Sequence, residues 1–70
     1  MDIYQLMANR FKARCEVLKL TEEEVAERSG LDLQTVHRLA TAKPIRIMPI
    51  SWICEAIDYP LNDFLELDEK

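Results

Sequence analysis

Few residues in this chain of 70 are of a type that does chemistry, and their spacing limits what they can do. His37 is the single histidine, and Cys15 and Cys54 are the two cysteines. A structural metal site draws several Cys and His ligands from short recurrent spacings such as CxxC, and no such spacing occurs. A nucleophile paired with a base, a carboxylate dyad and a glycine-rich phosphate loop are the other common signatures of catalysis. None is visible, so no enzymatic activity, metal or cofactor is expected. The two cysteines can form a staple in principle. The favoured reading is a pair of buried thiols in a reducing compartment.

Charge is the chemistry that remains, and it is unevenly spread. The net charge is −4 and the pI near 4.8, which excludes a uniformly basic surface that would hold any polyanion. Residues 1–20 carry Arg10, Lys12, Arg14 and Lys19 against Asp2 and Glu16, a balance of +2. Residues 21–47 carry Arg28, Arg38, Lys43 and Arg46 against Glu22, Glu23, Glu24, Glu27 and Asp32, a balance of −1. Residues 48–70 hold Lys70 against Glu55, Asp58, Asp63, Glu66, Asp68 and Glu69, a balance of −5. The acid is therefore concentrated in the last third, and Arg38, Lys43 and Arg46 remain as a basic cluster.

Helical spacing dominates the elements that must position this cluster. Tyr4, Met7, Phe11, Cys15 and Leu18 recur at steps of three and four and make one apolar stripe on a helix over about residues 2–18. Thr21 and Glu24 have the T-x-x-E spacing of a capping box, opening a second helix over 22–29 with Val25 and Ala26 inward, beside the stem of Arg28 or Ser29. Gly30 ends it, since glycine readily takes the left-handed conformation. Leu31 turns inward, Asp32 caps a third helix over 33–41, and Val36 and Leu39 face the core. Pro44 and Pro49 bracket a connector in which Ile45, Arg46 and Ile47 alternate as in a short extended stretch. Pro49 then opens a fourth, apolar helix over 49–57. Pro60 opens a fifth with Leu61, Phe64, Leu65 and Leu67, and residues 68–70 form an acidic, frayed tail. The expected fold is all-α, one five-helix domain over residues 1–70. No signal peptide or membrane span is visible, so the expected location is the cytoplasm.

The second and third helices, joined by a glycine turn, have the organisation of a helix-turn-helix. A small residue at Ala26 allows close crossing, and Val36 and Leu39 plug the third helix onto the second. The segment LTEEEVAERSGLDLQTVHRLATAKP resembles the Cro and lambda-repressor-like (Xre) helix-turn-helix family, and ISWICEAIDYPLNDFLEL resembles the closing helices of its small bacterial members. The resemblance covers roughly residues 5–67. It implies a lambda-repressor-like bundle of prokaryotic or phage origin whose third helix enters the major groove of double-stranded DNA. By position, Leu33, Gln34 and Arg38 would face bases, with His37 beside them. Gln34 suits adenine, Arg38 guanine and Leu33 a thymine methyl. Lys43 and Arg46 would touch phosphates, Thr35 and Thr41 would donate from their hydroxyls, and the start of the second helix would also point at phosphate.

Three departures accompany the resemblance. Glu22 stands where Gln is common, and a carboxylate there repels phosphate. Cys15 and Ala40 stand where an Arg and a Glu often form an internal ion pair; both partners are missing together, so no buried charge is orphaned. Ala42 replaces the frequent glycine after the third helix, so a changed loop shape is expected. The expected activity is that of a sequence-specific transcriptional regulator, a repressor acting as a homodimer. Its interface would be the surplus apolar face of the fourth and fifth helices, with Ile50, Trp52, Ile53 and Phe64. The alternative is a protein-interaction module on the same fold, such as an antitoxin or adaptor, which the acidic balance and Glu22 favour and the basic cluster disfavours.

Overall fold

The computed structural model describes residues 2–66 as five helices: α1 (Ile3–Leu18), α2 (Glu22–Ser29), α3 (Leu33–Ala40), α4 (Ile47–Ala56) and α5 (Leu61–Leu65). No strand occurs among the described residues. α1 packs on α3, α2 packs on both α3 and α4, and α5 closes the bundle against α1 and α4. Phe11, Phe64, Met7, Leu39, Ile53, Ile57, Val25 and Val36 fill the centre and are all but inaccessible to solvent. No polar or charged residue is buried among those described, so apolar burial drives the assembly.

The helix starts follow from side-chain caps. The Gln5 amide donates to Asp2 Oδ1 at 2.8 Å, a cap for α1 that the apolar stripe does not reveal. The box at α2 is complete: the Glu24 amide donates to Thr21 Oγ1 at 3.1 Å, and the Thr21 amide donates to Glu24 Oε1 at 2.9 Å. Asp32 Oδ1 accepts the Thr35 amide at 3.2 Å and the Thr35 hydroxyl as well.

The helix ends share one device. In α1 to α4 an amide two or three residues past the helix closes on a carbonyl five residues back, with a left-handed residue just before it: Lys19, Gly30, Ala42 and Asp58. After α3, Lys43 N donates to Arg38 O at 2.9 Å and Ala42 N to Leu39 O at 3.3 Å, which is a Schellman closure. The loop after α3 therefore keeps the shape a glycine would give it. Ala42 itself adopts φ 62°, at a cost that glycine would not incur.

Several sequence expectations need correction. Leu18 is exposed, because the α1 stripe winds off the core in its last turn, and Ala8, outside the expected stripe, is buried. Arg28 is exposed, while Ser29 is half-buried and donates its hydroxyl to the Val25 carbonyl at 2.8 Å. α4 begins at Ile47 rather than Pro49. Proline is tolerated anywhere in the first turn, where amides have no intrahelical partner, so Pro49 sits third in the helix, and Ile47 is helical rather than extended. Leu67 and the acidic tail at 68–70 lie outside the described residues.

Candidate nucleic-acid interface

α3 divides cleanly. Val36, Leu39 and Ala40 are buried, and Leu33, Gln34, His37, Arg38 and Thr41 are exposed. Gln34 and Arg38 are one helical turn apart and project from the same flank. Arg38 donates Nε to the Pro44 carbonyl at 3.3 Å, tying the end of α3 to the connector. Arg38 and Arg46 line a common hollow with Tyr4, Thr35 and Pro49. Lys43 and Arg46 are exposed. The connector therefore brings Arg46 and Arg38 together, and Lys43 is exposed at its start.

The two threonine hydroxyls are engaged within the chain. Thr35 gives its proton to the Asp32 carboxylate, and Thr41 Oγ1 donates to the His37 carbonyl at 2.8 Å. Both hydroxyls bond locally, so a contact to phosphate would require each proton to turn from its present acceptor. The same bonds to Thr35 hold the Asp32 carboxyl below its ordinary pKa, the side-chain bond counting most and the backbone bond next.

Glu22 and His37 meet across the corner between α2 and α3, with Nδ1 2.9 Å from Oε1. Sequence spacing did not pair them, because the residues are 15 apart and the turn geometry brings them together. The two arginines of α1 are spent elsewhere. Arg10 Nη1 donates to the Asp63 and Phe64 carbonyls, both at 2.9 Å, and so ties down α5. The Arg14 guanidinium lies 4.9 Å from the centre of the Tyr59 ring, and Tyr59 meets Phe64 edge-on at 5.2 Å. The +2 balance of the first 20 residues thus owes half of its cations to holding the α5 end.

Cys15 and Cys54 are free and buried. Burial raises the Cys15 thiol, with Glu22 adding to the effect, and pushes Cys54 up to about 11. Both stay protonated and unreactive at neutral pH. Cys15 and Ala40 are members of the shared core, so apolar packing occupies the place of the ion pair.

Of the four residues expected at an interface, Ile50, Ile53 and Phe64 are buried in the chain's own core, and Trp52 alone is exposed, at 43%. That expectation is corrected: the apolar surplus of α4 is used mostly within the bundle. Its exposed part is Trp52 with Ile47 and Met48, the last one helical turn before Trp52. No helix among the described residues is long and apolar enough to cross a membrane.

The family model of the Cro/C1-type HTH DNA-binding domain matches residues 10–70. No curated protein and no solved structure gives a significant match. The matched span takes in α2, the glycine turn, α3 and the closing helices, the same elements whose packing exposes the outer face of α3. With five helices, no strand among the described residues and a helix pair in this arrangement, the chain belongs to the Cro/C1-type HTH DNA-binding domain family.

Proposed function

We propose that the chain is a sequence-specific transcriptional regulator, a repressor that binds double-stranded DNA as a homodimer. α3 enters the major groove. Gln34 reads adenine, Arg38 reads guanine through its terminal nitrogens, Leu33 meets a thymine methyl and His37 flanks them. Lys43 and Arg46 neutralise phosphates. The observation that supports this most is the pairing of Arg38 and Arg46 in one hollow beside an α3 face that exposes Gln34 and Leu33. Protomers pair through Trp52, Met48 and Ile47, because a single helix-turn-helix makes few contacts and two copies read two half-sites about 34 Å apart. Selection from a random duplex pool tests the reading. Enrichment of a palindrome with half-sites about one helical turn apart supports it. A folded protein that enriches no sequence contradicts it and favours the protein-interaction module, the reading to which Glu22 at the edge of the face lends weight.

A further inference from the structure

His37 and Glu22 form the one contact between acid and imidazole among the described residues, and both side chains reach solvent, at 59% and 37% exposure. His37 is the only histidine in the chain. Histidine is the side chain whose ordinary titration falls between about pH 5 and 8. With neutral imidazole donating Nδ1–H to the carboxylate, the pair carries −1; with imidazolium it carries no net charge. Resting on the DNA-binding reading above, we propose that this pair sets the DNA affinity of the α3 face according to pH, and that His37 protonation cancels the repulsion between Glu22 and the DNA backbone.

The surroundings leave this change uncompensated. From α2, Glu22 is the group within hydrogen-bond distance of the ring. On α3 itself, Arg38 turns its Nε to the Pro44 carbonyl and is always charged, while Asp32 before it is held by Thr35. From α1, Lys12, Glu16 and Cys15 line the same hollow as Glu22; the first two oppose each other in charge and the thiol is neutral. From the start of α4, Arg46 lies with Arg38 in the hollow lined by Tyr4 and Pro49. None of these groups is a histidine, so the pair is the variable element.

The sign follows from linkage. A polyanion stabilises the protonated ring, so DNA binding takes up a proton and affinity rises as pH falls. One site limits the slope to about tenfold per pH unit. Charges a few ångströms apart in water set the whole effect at about fivefold.

The test is fluorescence anisotropy with a labelled mixed-sequence duplex, at fixed ionic strength, between about pH 5.5 and 8. Wild-type affinity is expected to rise about fivefold toward acid. His37→Gln is expected to bind with an affinity that does not change with pH, whatever its absolute level. Glu22→Gln is expected to bind about fivefold more tightly than wild type at the alkaline end. An unchanged pH slope in His37→Gln, or no tightening in Glu22→Gln, overturns the proposal and leaves the DNA reading standing. Absence of binding by folded wild type at every pH overturns both. Circular dichroism of each variant at both ends of the range separates these outcomes from unfolding.

Discussion

Arg38 is tied through its Nε to the Pro44 carbonyl, six residues on, at 3.3 Å. The bond fixes the guanidinium at the junction of α3 and the connector. Its two terminal nitrogens have no partner among the described residues. A guanidinium anchored by one nitrogen loses less freedom when the other two bind a bidentate acceptor. Arg38 is thereby an anchored member of the proposed base contacts.

Lys43 is exposed at the start of the connector, and its proposed contact is phosphate. Lys43→Ala should weaken binding to all duplexes alike and reduce the slope of log affinity against log salt by about one unit. The slope, measured by anisotropy titrations at several salt concentrations, checks this. An unchanged slope removes Lys43 from the phosphate contacts.

Ala42 and Gly30 both take left-handed φ, at 62° and 76°. A Cβ at Gly30 would meet no atom within 4 Å, so the cost there is backbone strain alone. Gly30→Ala should destabilise by about 1 kcal/mol, and Ala42→Gly should stabilise by a similar or smaller amount. Thermal melts followed at the helical circular-dichroism band should shift in opposite directions, by about 4–8 °C per kcal/mol for a domain of this size. A shift in the same direction for both would contradict the shared strain.

The Asp32 carboxyl sits below its ordinary pKa because Thr35 donates to its ionised form. A lowered folded pKa gives stability that is present above the unfolded value, near 4. That stability is lost as pH falls through the lowered folded value. The stability gap between wild type and Asp32→Asn should therefore narrow steadily below about pH 4. Urea unfolding at a series of pH values measures it, and a gap that widens toward acid would contradict the cap.

Trp52 is the exposed aromatic of α4, one turn from Met48. Sedimentation equilibrium should show wild type associating to a dimer and Trp52→Ala dissociating at lower concentration. A wild-type monomer at high concentration would contradict the proposed pairing.

Much of the fold was legible because its signals are local. The capping box at Thr21, the glycine at position 30 and the Asp32 cap each act within four residues, and the Val36 and Leu39 spacing identified the buried side of α3. Signals that depend on tertiary placement were not legible. Arg10 counts in the sequence only toward the charge of residues 1–20, yet it reaches carbonyls more than 50 residues away. Ile50, Ile53 and Phe64 read as surplus because an apolar run does not say how many neighbours will cover it, and here α2 and α5 both pack on α4. Pro49 was placed at the first helical position because proline fits there, although the whole first turn accepts it. Ala42 read as a break with the glycine pattern, but the Schellman bonds impose the same backbone on alanine.

The most direct measurement is anisotropy of wild type and Arg38→Ala on a duplex selected by the wild type, over a salt series. The account predicts tight, salt-sensitive binding by wild type. Arg38→Ala should lose about 1–3 kcal/mol and relax the preference at one base position. Equal affinity and equal base preference in the two proteins would contradict a reading role for Arg38, and with it the assignment of the α3 face to the major groove.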